Sequence, residues 1–133
     1  MGRMRLDILW QRVLKGAETC ERCGETGESV RRAVLALREA LAPRGIEVVL
    51  MEKALPLFAV TESNRVFIGG QPLEDLLGAE VGESHCQSCC DLLGAQTDCR
   101  TLRLEGREYE ALSEELIVRA GLLAANRLEA AAQ

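Results

Sequence analysis

The stretch "LDILWQRVLKGAETCERC", residues 6–23, decides how this chain is read. In its first half Leu6, Ile8 and Trp10 fall on one side of an extended chain and Asp7, Leu9 and Gln11 on the other. That period of two marks a strand from Arg5 to Val13. Lys15 to Thr19 then reads as a loop that delivers Cys20 and Cys23 to the start of a new element. Downstream, Val30, Ala33, Val34, Leu37 and Leu41 recur at helical spacing, opposite Arg31, Arg32, Arg38 and Glu39. Thr26 or Ser29 is expected to cap this helix, Gly24 and Gly27 can delay its start, and Pro43 with Gly45 is expected to end it.

A second, mostly apolar strand over residues 46–51 completes a strand-helix-strand unit, which favours a parallel pair joined by a right-handed crossover. In "SNRVFIGGQPLEDLL", residues 63–77, a Gly-Gly pair between apolar runs predicts a tight hairpin, so the sheet becomes mixed. Leu73, Leu76 and Leu77 predict a short helix ending near Gly78 or Gly82. A cysteine-rich loop over residues 79–100 follows, then a small hairpin around Gly106 within residues 101–110. A final helix is expected, capped by Ser113, with Glu114 and Glu115 in its first turn and Ile117, Ala120, Gly121, Ala124 and Leu128 on one face. The expectation is one α/β domain over residues 1–133, with a core at about 5–78, a cysteine-rich insertion at 79–100, and a hairpin and helix at 101–133.

The 133 residues carry a net charge of -5, and sixteen Lys and Arg are scattered among twenty-one Asp and Glu. That distribution argues against nucleic acid as a partner. No run of eighteen apolar residues exists to enter a bilayer, and the N-terminal run lacks the pattern of an export signal. The expected compartment is therefore a reducing cytoplasm, where six cysteines act as ligands, nucleophiles or redox pairs more often than as permanent cross-links. A monomer, or a weak homodimer through an exposed sheet edge, is the expected state.

Two thiols separated by two residues at the amino end of a helix can close a small disulfide ring or present two soft ligands to a metal. The helix dipole, unpaired amides and Arg22 favour a thiolate there, while Glu18, Glu21, Glu25 and Glu28 oppose it. The second concentration of sulfur is "HCQSCCDLLGAQTDC", residues 85–99, which holds four of the six cysteines and the single histidine. His85, Cys86, Cys89, Cys90 and Cys99 offer five soft donors where a tetrahedral zinc site needs four, although a second C-x-x-C at zinc-ribbon spacing is missing. Zinc is thus one candidate cofactor. The adjacent Cys89 and Cys90 could instead chelate Cu(I), Hg(II) or As(III). A third alternative makes the cluster a redox partner of Cys20 and Cys23. Alternatively, these cysteines pack or pair to hold a loop against the sheet. Trp10 and Tyr109 are expected as core and hairpin anchors, and the acidic run from Glu105 to Glu115 as solvated surface.

The order strand, C-x-x-C, helix, strand, hairpin and helix resembles the thioredoxin-like superfamily over about residues 5–78. In that resemblance Cys20 is the attacking thiol and Cys23 the resolving one, and the partner is a protein or small-molecule disulfide or thiol. Residues 63–77 are similar to the glutaredoxin-like hairpin, which places Ser63 and Asn64 at the substrate groove with Asn64 where the family has its cis-proline. The loss of that proline implies easier access of metals or metalloids to the dithiol. With its C-x-x-C, its later C-x-x-C-C and "DCRTL", the whole chain is similar to a small bacterial and archaeal thioredoxin-like family of unknown function.

Overall fold

A computed structural model describes residues 4–16, 18–19 and 21–132, without the side chains of Glu21, Val60 and Thr61. The alternation read in the opening stretch becomes β1 (Met4–Val13), which runs parallel to β2 (Ile46–Leu55) from Met4 opposite Ile46 to Val13 opposite Leu55. The connection is α1 (Glu21–Leu41), as a parallel pair requires. After α1 a single 3-10 turn, Ala42–Arg44, leads to Gly45 in the left-handed conformation, so the chain reverses where Pro43 and Gly45 predicted. A second 3-10 segment, Leu57–Glu62, then brings the chain back to the sheet.

The hairpin forms as expected. β3 (Arg65–Ile68) pairs antiparallel with β1 and with β4 (Gln71–Pro72), and the turn holds Gly69 and Gly70 at φ of 60° and 81°. Two consecutive positive φ angles suit the tight turn that matches the twist of the strands and are strained for residues with a Cβ. The four strands lie in the order β2-β1-β3-β4. The short helix α2 (Leu73–Leu77) ends on Gly78, and the last helix α4 (Glu114–Ala131) starts at Ser113, whose Oγ accepts the amide N–H of Leu116 at 3.2 Å. Among the described residues the architecture is a mixed α/β fold with two sheets and four α-helices. No helix is long and apolar enough to cross a membrane among them.

Two expectations are corrected. The first helix does not wait for a cap at Thr26 or Ser29; it begins at Glu21 and runs through Gly24 and Gly27. Thr26 is fully buried within it, and its Oγ1 accepts the amide N–H of Leu112 at 3.0 Å. Gly27 is there for space, because a Cβ would come within 2.4 Å of the Trp10 ring. The second correction concerns residues 79–100. They are not a loop but β5 (Glu80–His85), α3 (Gln87–Leu93) and the first part of β6 (Asp98–Leu104). With β7 (Arg107–Tyr109) they form a separate antiparallel sheet, β5-β6-β7, so the predicted hairpin around Gly106 belongs to this second sheet.

The interior runs without a break from Leu6, Ile8 and Trp10 of β1 through Val30, Val34 and Leu37 of α1 to Ile117, Ala120 and Ala125 of α4. α1 and α4 approach so closely that a Cβ on Gly121 would lie 2.5 Å from Leu37. The two sheets are tied by Glu74 of α2, whose Oε1 accepts from Arg65 of β3 at 3.1 Å and from Arg100 of β6 at 3.0 Å. Burial holds the Arg100 guanidinium below the ordinary arginine range, against the charge of Glu74.

The two glycines early in α1 are expected to respond oppositely to alanine. Nothing lies within 4 Å of a Cβ on Gly24, so Gly24→Ala should stabilise by about 0.5–1 kcal/mol through helix propensity. Gly27→Ala must displace Trp10 and should destabilise by about 1–3 kcal/mol. Urea unfolding of both variants checks the pair; stabilisation by Gly27→Ala would contradict the packing of α1 on β1.

Candidate functional site

The hairpin β5-β6 places the sulfurs. Antiparallel pairing sets Ser84 opposite Cys99 and His85 opposite Asp98, and α3 is the connection between the strands. Cys86 is the residue on which α3 starts, in an extended conformation, and its N–H donates to the Thr97 carbonyl at 3.1 Å. Gly94, left-handed, closes α3 and lets the chain return. Cys89 lies one turn into α3 on its buried side. As a result the Sγ atoms of Cys86, Cys89 and Cys99 all lie within 4.8 Å of one another. All three are interior, at 3%, 0% and 5% exposed.

Cys90 and His85 do not join them. The Cys90 sulfur accepts the Thr97 amide N–H at 3.1 Å and also approaches the Thr97 carbonyl at 3.7 Å, so it fastens the return of the loop. The His85 ring is on the surface, 4.0 Å from the Cys90 sulfur, with Nε2 3.1 Å from Gln87 Oε1. Adjacent residues on a helix point about 100° apart, and Cys90 is not among the three residues whose donor atoms converge. The chain uses Cys86, Cys89 and Cys99 as the convergent set instead.

The upstream pair is only half described. Cys20 lies outside the described residues. Cys23, read from sequence as the resolving thiol, is 1% exposed, in the apolar interior. Its position seven residues before Val30 carried that signal, since two helical turns put both on one stripe. Ser63 and Asn64, expected at an open groove, are also interior, at 3% and 8% exposed. Ser63 Oγ accepts the Val13 amide N–H at 2.9 Å and lies 3.1 Å from Cys23 Sγ. Either atom of that Ser63–Cys23 contact can be the donor. Asn64 adopts a left-handed φ of 61° and donates to the Glu110 carbonyl at 3.3 Å.

Arg22 joins the two cysteine regions. Its guanidinium donates to the His85 carbonyl at 2.5 Å, one residue before Cys86, and approaches Glu110 at 3.5 Å. A surface pocket of about 310 Å³ opens beside it, lined by Arg22, Glu25, His85, Cys86, Ser88 and Glu110 among others. The segment that begins with the first cysteine pair thus sits against the edge of the second cluster. Neither Arg22 as a bridge nor Thr97 as the partner of Cys90 was read from sequence, because both depend on pairing between residues far apart in the chain.

In chemical terms, the described residues hold three convergent buried thiols, one of which, Cys86, also lines the surface pocket, and a further buried thiol, Cys23, next to the Ser63 hydroxyl. A curated relative from Archaeoglobus fulgidus, described as an uncharacterized protein, is 38% identical over 118 residues, spanning 86% of this chain and 83% of that protein. No solved structure matches. Residues 6–121, from the first residue of the decisive stretch to the glycine of α4 that packs on Leu37, match the family described as domain of unknown function DUF2703, and the chain belongs to that family.

Proposed function

We propose that this chain is a thioredoxin-like thiol protein that binds a soft, thiophilic ion through Cys86, Cys89 and Cys99. The observation that carries the proposal is the convergence of those three sulfurs within 4.8 Å. Zn–S bonds of about 2.3 Å place the sulfurs of one metal about 3.8 Å apart, so a small closure of the trio brings three sulfurs onto one ion. Zinc, Cu(I), Hg(II) and As(III) all favour thiolate donors. The thioredoxin-like part of the reading is supported by the parallel β1-β2 pair crossed by α1, followed by the antiparallel β3-β4 hairpin and α2, which is the order the resemblance implies. A reducing cytoplasm suits it, because thiols there stay available as ligands.

A second reading is disulfide exchange with a protein or small-molecule partner, in which Cys20 attacks and Cys23 resolves the mixed disulfide. It is favoured by the Ser63 hydroxyl at 3.1 Å from Cys23 Sγ. The resolving step occurs inside the protein, so a buried Cys23 is compatible with it. A hydroxyl that donates to the sulfur stabilises the thiolate that performs the step.

Two measurements test these readings. Purified under anaerobic, reducing conditions, the protein is expected to take up one equivalent of thiophilic ion per chain. Cys86→Ser, Cys89→Ser and Cys99→Ser should each weaken uptake by roughly a hundredfold through loss of a chelating arm, while His85→Ala retains it. Absence of bound ion, or loss of it in His85→Ala, would contradict the trio. For exchange, a mixed disulfide at Cys20 should persist about fivefold longer in Ser63→Ala than in the parent, since one hydrogen bond is worth about 1 kcal/mol. Ser63→Thr should restore the parent rate; equal lifetimes in all three proteins would rule out the role of the hydroxyl.

A further inference from the structure

We infer that the ligand class of the Cys86, Cys89 and Cys99 site is a neutral trivalent metalloid hydroxide, arsenite or antimonite, bound as a three-sulfur pyramid. The inference rests on the ion-binding reading above and narrows it. Two features select the class: the number of donors and the charge that the site can hold.

Among the described residues exactly three soft donors converge. The nearby alternatives are otherwise engaged or placed, with Cys90 accepting the Thr97 N–H and His85 on the surface beside Gln87. A tetrahedral zinc site needs a fourth donor. Trivalent arsenic does not, because its lone pair occupies the fourth direction.

Charge points the same way. Cys89 is 0% exposed, and the trio lies in the same apolar cluster as Cys23, Leu102 and Leu112. Burying uncompensated charge in such surroundings is strongly unfavourable. Three thiolates on a divalent metal leave a net charge of minus one, and on Cu(I) minus two. On As(III) they leave none. Arg22 lies at this edge, with its guanidinium 3.5 Å from the Glu110 carboxylate and donating to the His85 carbonyl at 2.5 Å, while its Nη1 is buried without a hydrogen-bond partner among the described residues. Glu25 and Glu110 line the adjoining pocket, where their carboxylates repel an oxyanion and not an uncharged hydroxide.

The binding step balances without a redox partner. As(OH)₃ and three thiols give As(SR)₃ and three waters. Three As–O bonds break, three As–S bonds form, each thiol proton leaves on one hydroxide, and arsenic stays trivalent. No proton is released to solvent. Zinc binding to the same three thiols instead expels their protons, because the metal takes only thiolates.

That difference supplies the test. The reduced full-length protein is titrated by calorimetry with sodium arsenite and, separately, with zinc chloride, each in two buffers of different ionisation enthalpy. The expected result is one arsenite per chain with the same heat in both buffers, against release of about three protons on any zinc binding. Arsenite should remain bound when equimolar zinc is added. Cys86→Ser, Cys89→Ser and Cys99→Ser should each lose roughly a hundredfold in arsenite affinity, and Cys20→Ser and His85→Ala should lose none. Zinc or copper bound by the trio with arsenite excluded would overturn the metalloid assignment and leave the ion-binding reading standing. Failure of every ion to bind would overturn both. Loss of arsenite in Cys20→Ser or His85→Ala would overturn the three-sulfur assignment. Because the parent protein supplies the buffer comparison, the test does not depend on every variant folding.

Discussion

The register of β5 on β6 is the constraint from which the site follows. Ser84 opposite Cys99 fixes where the second strand presents its sulfur, and Cys86 and Cys89 then reach that sulfur from the start of α3. A slip of one residue would turn Cys99 to the other face of the sheet and dissolve the trio. The register is held by bonds that involve the site itself. The Cys86 N–H donates to Thr97 O at 3.1 Å, the Thr97 N–H donates to Cys90 Sγ at 3.1 Å, and Gly94 provides the left-handed turn between them. Cys90 therefore fastens the loop that presents the three proposed ligands.

The larger α/β unit gives this small sheet something to pack against. Glu74 clamps Arg65 of β3 to Arg100 of β6, Thr26 of α1 holds the Leu112 amide, and Arg22 caps the His85 carbonyl. Each of these joins the second sheet or its sequel to the first helix and hairpin. A buried thiol cluster needs such support, since donors must be held in place by their surroundings before a ligand arrives.

Much of the frame was legible in the sequence because it is periodic. Leu6, Ile8 and Trp10 announced β1, the stripe from Val30 to Leu41 announced α1, Gly69-Gly70 announced the hairpin, and Ser113 announced the cap of α4. The second sheet was not legible for a physical reason. β5 reads Glu-Val-Gly-Glu-Ser-His, largely exposed and without apolar alternation, so only its pairing with β6 makes it a strand. α3 is seven residues long, too short for a helical period to show. The cysteines were found as a cluster, but their division into a convergent trio and one fastening depends on directions around α3 that spacing alone did not resolve. The burial of Cys23 was readable from the stripe it shares with Val30, and the presence of the C-x-x-C drew attention to reactivity instead.

The account depends on three sulfurs meeting at one point. X-ray absorption at the arsenic edge of the arsenite-loaded protein examines this most directly, because it counts the neighbours of the bound atom. Three sulfur neighbours and no oxygen are the predicted first shell. Two sulfurs with a retained oxygen would contradict it, because one member of the trio would then stand outside the site.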